Sequence, residues 1–155
     1  MTEPGTRELP DLVAMERFGA AIAGKLREGD VVALEGGLGA GKTTLARAII
    51  AALGYDSEVP SPTFTIIETY EASPLSLPIV HADFYRLERP EEVEEIGLDD
   101  YREGAALIAE WPDHAGGFGH ERACLSIRLE SAQKPGGTGR IAIVEGGPDW
   151  LGRMP

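Results

Sequence analysis

The sequence predicts an α/β fold, a single domain whose mixed parallel and antiparallel sheet is flanked by helices. Three observations carry this. A short apolar run, Val31-Val32-Ala33-Leu34, leads through a glycine-rich loop into an amphipathic helix, the opening unit of a parallel sheet. Two β-branched and aromatic runs, Thr63 to Tyr70 and Ile79 to Tyr85, flank a proline-containing turn, as an antiparallel pair does. The chain has 155 residues, one domain's worth at roughly 150 residues per domain.

The elements follow in order. From Asp11, an N-cap residue, Leu12, Met15, Phe18, Ile22 and Leu26 recur on one helical face. Residues 1–10 before it are expected to be flexible. Gly29-Asp30 turns the chain into the first apolar strand, and the loop Gly36 to Gly41 follows. Leu45, Ile49, Ala52 and Leu53 then keep helical spacing, with Gly54 where a terminating glycine belongs. After the antiparallel pair, residues 90–96 read as a short helix with Pro90 near its first turn. Ala105 to Ala109 is a small apolar strand that ends at Glu110. Residues 125–129 and 141–144 alternate as strands around a glycine-rich turn at 135–139.

Composition narrows the class. Fourteen basic and twenty-six acidic residues give a net charge of −12, with pI ≈ 4.6. That balance argues against a free-standing nucleic-acid binder, DNA-binding included, because phosphate neutralisation needs a Lys/Arg surface, and it leaves room only for a local basic patch. Cys124 is the sole cysteine, so an internal disulfide and a cysteine-based metal knuckle are both excluded. The first residues lack the pattern of a signal peptide, and the most apolar stretch, Leu45 to Leu53, is interrupted by Arg47. A cytoplasmic protein with no membrane association is expected.

Gly36-Gly37-Leu38-Gly39-Ala40-Gly41-Lys42-Thr43 satisfies the pattern G-x-x-x-x-G-K-[ST] of a phosphate-binding loop, the P-loop. Glycines let the backbone curl so that successive N–H groups converge on phosphate oxygens. The following helix adds the partial positive charge of its N-terminus. Lys42 brings a full charge to the β- and γ-phosphates, and the Thr43 hydroxyl suits Mg²⁺. With Thr44 next to it, the loop from Gly36 to Thr44 is the expected nucleotide-binding segment, and the domain is expected to be a single P-loop NTPase unit.

Such a site also needs a carboxylate at a strand end. Glu110, after Ala106-Leu107-Ile108-Ala109, fits that position; Asp83, within His81-Ala82-Asp83-Phe84-Tyr85-Arg86, competes for it. Alternation puts His81, Asp83 and Tyr85 on one face and Phe84 on the other. His81 reads as a structural hydrogen-bonding residue. Trp111 reads as a partly buried aromatic.

The P-loop through Thr44, Ser61-Pro62-Thr63-Phe64, His81 to Leu87 and Glu110-Trp111-Pro112 occur in the order of the TsaE family, and the sequence resembles it from the first helix to Pro112. TsaE is the bacterial ATPase required for making threonylcarbamoyladenosine (t6A) in tRNA. The resemblance implies ATP hydrolysis, with Thr43 and Glu110 on Mg²⁺, Lys42 on the phosphates, and Asp83 near the γ-phosphate or its attacking water. It implies a nucleotide-sensing role for the Ser61-Pro62-Thr63 loop, which the residues alone equally read as a proline-stiffened connection. It also implies that Trp111 helps form the nucleotide or partner surface, and it implies two partners, the threonylcarbamoyl-transferase subunit (TsaD-like) and its paralogous companion (TsaB-like), with tRNA contact indirect or weak. The chain departs from the family at Gly37, where Asp is usual, and at Met15, where Thr is usual.

Three other readings compete. A small-molecule kinase shares the P-loop but needs a lid and an acceptor pocket. A GTPase is disfavoured because Asp113-His114-Ala115-Gly116 and Asp149-Trp150-Leu151-Gly152 match D-x-x-G without a guanine-reading motif after them. A nucleotide-dependent assembly subunit would hydrolyse negligibly. Residues 88–103 hold eight acids and two bases, 2 − 8 = −6, half of the total charge. This segment is either a solvated helical face or a docking face for a basic protein partner.

Overall fold

A computed structural model describes residues 5–37, 39–55, 67–70, 77–131 and 139–155. Ser61-Pro62-Thr63-Phe64 and Leu38 lie outside the described residues.

Seven strands form one sheet: β1 (Gly5–Leu9), β2 (Val31–Glu35), β3 (Ile67–Tyr70), β4 (Ile79–Asp83), β5 (Ala106–Glu110), β6 (Cys124–Ser131) and β7 (Arg140–Gly146). Their order across the sheet is β1-β7-β6-β2-β5-β4-β3. The four central strands, β6, β2, β5 and β4, run parallel. The flanking pairs β3–β4, β6–β7 and β1–β7 are antiparallel. The mixed sheet expected from the sequence is thus present. β2, β4 and β5 are apolar and buried nearly throughout because both of their faces are covered.

Helix α1 (Leu12–Ala23) starts at Asp11, whose carboxylate accepts the Ala14 N–H. Helix α2 (Lys42–Ala52) follows the phosphate loop. Together they cover one sheet face: Met15, Phe18, Ile22, Leu45 and Ile49 pack with Val32, Leu34, Ile108 and Leu125. The two helices approach so closely that a Cβ on Gly19 would lie 2.5 Å from Ala48 Cβ. On the opposite face Val31, Ala33, Val80, Ala82 and Phe84 pack with Leu98 and Phe118. Strand alternation therefore sends Phe84 into this second core, away from the His81 side of β4.

The N-terminal end of β2 is held by the chain's last residues. Arg153 donates to both carboxylate oxygens of Asp30, at 2.6 and 2.7 Å, and both residues are buried. Its guanidinium also stacks on Trp150, 4.1 Å from the ring centroid.

Two boundaries differ from the sequence expectation. Gly5–Leu9, inside the segment 1–10, forms an edge strand paired with β7 from Gly5↔Val144 to Leu9↔Arg140, and Leu9 is buried. The polar Thr6-Arg7-Glu8 core of this strand hides it in sequence, because its stability comes from a ladder with residues far along the chain. The short helix expected at 90–96 spans Glu92–Ile96 (α3), stops at Gly97 in a left-handed conformation, and restarts as α4 (Leu98–Arg102). Of the strand expected at 63–70, Ile67–Tyr70 falls among the described residues and pairs with β4 as anticipated.

Candidate active site

β2, β4 and β5 are parallel neighbours, so their C-terminal ends gather at one edge of the sheet. Gly36, Asp83 and Glu110 sit at those ends. They open onto a cavity of about 320 Å³ lined by the loop from Gly39 to Thr44, with Asp83, Tyr85, Glu110, Trp111 and Arg140 around it. Two segments distant in sequence, the glycine loop and the two candidate acids, thus meet in one cleft.

Gly36, Gly39 and Gly41 all take positive φ in the loop, and at Gly36 and Gly41 neighbouring atoms also crowd the place of a Cβ. Gly36 has φ 141°, and a Cβ there would lie 2.6 Å from the Leu129 carbonyl oxygen. Gly41, the N-cap of α2, has φ 102° and packs against the Met15 methyl. Met15 therefore fills the space beside the loop as a core side chain, 5% exposed. Gly37 meets nothing within 4 Å of where a Cβ would stand, so the position has room for the Asp usual in the family.

Lys42 is 5% exposed. Its ammonium donates to the carbonyl oxygens of Gly36 and Gly37, both at 2.8 Å, and lies 4.2 Å from the centroid of the Trp111 ring. Burial pushes its pKa down, while the nearby Glu110 and Asp83 oppose that shift.

Glu110 is held from both sides. The Thr43 hydroxyl donates to Oε1 at 2.7 Å, and His81 Nε2 lies 2.7 Å from Oε2. An ionised carboxylate only accepts, so the His81 proton resides on Nε2. Its Nδ1 has no hydrogen-bond partner among the described residues. Two hard oxygens, the Thr43 hydroxyl and the Glu110 carboxylate, thus stand together at the start of α2, a donor set that suits Mg²⁺ shared with phosphates. Among the described residues no group of three or more His, Cys, Asp or Glu side chains forms a metal cage; Mg²⁺ is commonly held by one or two protein oxygens plus phosphates and water.

Asp83 pairs with Glu110 in the β4–β5 register. Its Oδ1 accepts the Tyr85 N–H at 3.0 Å. Burial pushes its pKa up and Glu110 adds to the rise; the Tyr85 hydrogen bond, His81 and Lys42 pull the other way.

Sequence reasoning missed two features here. The first is an aromatic rim: Tyr85, Trp111 and His114 stand with ring centroids 5.0 to 6.1 Å apart. His114 Nδ1 reaches the carbonyl oxygens of Phe84 and Tyr85 at 3.1 and 3.0 Å, tying the turn after β5 to the end of β4. Trp111 reaches its place through a left-handed backbone, φ 55°. Only the neighbouring Glu110-Trp111-Pro112 could have signalled this rim. The second feature is Arg140, which reaches the loop from β7 and carries no local signal at all. The Asp113-His114-Ala115-Gly116 match forms a single 3₁₀ turn, as does the segment at Asp149. In the acidic segment, Arg89 pairs with Glu92 and Glu95, and Arg102 with Glu121.

Parallel strands delivering a glycine loop, a buried lysine and two carboxylates to one sheet edge define a P-loop α/β protein. The family model described as Threonylcarbamoyl adenosine biosynthesis protein TsaE matches residues 9–140, and the chain belongs to the TsaE family. It is 38% identical over 119 residues to the tRNA threonylcarbamoyladenosine biosynthesis protein TsaE of Haemophilus influenzae, covering 73% of this chain and 74% of that one. The protein of the same name from Bacillus subtilis is 44% identical over 99 residues, 63% of this chain and 58% of the relative. The crystal structure of Bacillus subtilis YdiB superimposes with a TM-score of 0.70 at 28% identity, covering 93% of this chain and 86% of that one.

Proposed function

We propose that this chain acts in threonylcarbamoyladenosine biosynthesis as the ATP-binding, Mg²⁺-dependent ATP-hydrolysing subunit of the tRNA-modification machinery. The observation that carries the reading is Glu110, fixed between Thr43 and His81 at the mouth of the phosphate loop. Family membership supports the pathway.

In this reading the amides from Gly39 to Thr44 receive the phosphates, joined by Lys42 once it leaves the Gly36 and Gly37 carbonyls. Thr43 and Glu110 would hold Mg²⁺, which neutralises charge on the phosphate oxygens. Asp83 orients the attacking water and accepts its proton; a carboxylate whose pKa is raised by burial is a better base. Water adds to the γ-phosphorus, the bond to the β–γ bridging oxygen breaks, and ADP and phosphate leave. His81 keeps Glu110 in one orientation.

The cycle serves a TsaD-like transferase and its TsaB-like companion in the cytoplasm, with tRNA contacted through those partners. No described helix is long and apolar enough to cross a membrane.

Steady-state ATPase assays with and without the two partner proteins test this. Lys42→Ala should abolish ATP binding. Glu110→Ala should retain much of the binding and lose Mg²⁺-dependent hydrolysis. Normal hydrolysis by Glu110→Ala, alone and with partners, overturns the metal assignment. A deletion strain lacking any substitute protein but retaining t6A in its tRNA overturns the pathway.

A further inference from the structure

Arg140 is the first residue of β7, one hundred positions after Ala40, yet its side chain lines the phosphate cleft. Its guanidinium grips the loop from the side. Nε donates to the Ala40 carbonyl oxygen and Nη2 to the Gly39 carbonyl oxygen, each at 3.0 Å. Nη1 donates to the Gly139 carbonyl oxygen, also at 3.0 Å, which braces the fork against its own strand. All three guanidinium nitrogens are thus engaged with backbone carbonyls.

The consequence follows from peptide geometry. There are no cis peptide bonds among the described residues. In a trans peptide the carbonyl and the next N–H point to opposite sides. Fixing the Ala40 carbonyl toward Arg140 therefore turns the Gly41 N–H away from Arg140. Within the loop, the Ala40 N–H donates to the Gly37 carbonyl at 3.1 Å and closes the turn. Gly41 is the N-cap of α2, so its N–H precedes the first-turn amides that have no intrahelical acceptor. A glycine at φ 102° has no Cβ to restrict this peptide, and an external hold is needed to keep it in one orientation. A charged donor on the carbonyl also polarises the peptide and strengthens its N–H as a donor.

We infer that Arg140 is a positioning residue for phosphate binding, acting through the Gly39 and Ala40 carbonyls to hold the Gly41 amide in its anion-facing orientation, and not a phosphate ligand itself. This rests on the phosphate-site reading above. Lysine cannot replace it: a single ammonium lacks the planar fork that spans two successive carbonyls and a third behind them.

The test uses the full chain carrying Arg140→Lys or Arg140→Ala. Without nucleotide, the Gly41 amide, read by ¹H–¹⁵N NMR relaxation, should become more mobile in both variants while the melting temperature stays close to that of the wild type. Calorimetry should then show ATP and ADP weakened alike, about tenfold, in Arg140→Lys as well as Arg140→Ala, as the loss of a charged hydrogen bond implies. Unchanged Gly41 mobility overturns the proposal. So does an affinity loss that Arg140→Lys restores or that affects ATP alone, since either marks a direct charge on phosphate. An affinity loss that tracks a fall in melting temperature also overturns it, by making the role merely structural. If the wild type binds neither nucleotide, the proposed function fails, while the nucleotide-free Gly41 measurement still decides the role of Arg140.

Discussion

The Lys42 ammonium lies 4.2 Å from the centre of the Trp111 ring while donating to the Gly36 and Gly37 carbonyls. One cation is thus shared between the loop that precedes it and the residue that follows Glu110. Phosphate oxygens compete for that ammonium far better than carbonyls or a ring face, because the pair is charged on both sides.

Nucleotide binding should therefore change Trp111 emission. The other tryptophan, Trp150, is fully buried with its indole N–H on the Ala123 carbonyl, and it should stay silent. Titration with ADP or ATP should give a fluorescence change that Trp111→Phe removes and Lys42→Ala prevents. A constant spectrum at concentrations where calorimetry records binding would contradict the link.

His81 hydrogen-bonds Glu110 and its charge bears on Asp83, while among the described residues no hydrogen bond ties it to the phosphate loop, so its loss should separate binding from hydrolysis. Replacing it with Phe keeps the buried volume and deletes the 2.7 Å hydrogen bond to Oε2. Mg²⁺-dependent ATPase should fall about 10- to 100-fold, the usual effect of removing a partner of a metal-ligating carboxylate. ADP affinity measured in EDTA should hardly move. Equal losses in both would assign His81 to folding of the loop.

Gly36 and Gly37 should respond in opposite ways. A methyl at Gly36 would strike the Leu129 carbonyl at 2.6 Å, with φ at 141°, and nothing soft can yield there. Gly36→Ala should cost about 1–3 kcal/mol in urea unfolding. Gly37 faces open space, and Gly37→Asp, which restores the family's usual residue, should stay within about 0.5 kcal/mol of the wild type.

Glu35 gives the molecule a pH signature. Burial pushes its pKa up, and Asp113 beside it adds to the rise, while Arg128 opposes it. A carboxyl whose folded pKa is raised favours the folded state when protonated. Its contribution is fully present below the unfolded pKa and is lost as pH rises through the folded value. Glu35→Gln should then be more stable than the wild type at pH 7. That gain should shrink as pH falls from the raised folded value toward the ordinary glutamate value and be gone below it. Denaturant midpoints across pH 4 to 8 for both proteins check the sign.

What could be read before folding was whatever lies in one stretch of chain. The loop from Gly36 to Thr44 announces itself because backbone curl, lysine and hydroxyl must be consecutive. The apolar runs of β2 and β5 are legible because central parallel strands are buried on both faces. Glu110 and Asp83 were visible as acids at strand ends, but their shares of the work were not. The fold separates them: Glu110 touches Thr43 and His81, while Asp83 bonds the Tyr85 amide.

Sequence alone therefore determined the fold class, the phosphate loop, the family and the candidate acids of this protein, through short-range pattern. Tertiary structure alone decided that Gly5–Leu9 is a strand, that His81 supports Glu110, and that Arg140 grips the loop from a hundred residues away. Each of these is a hydrogen bond or ladder between distant segments. Such contacts leave no periodicity in the chain, because their partners are chosen by the sheet's order and not by spacing along the sequence.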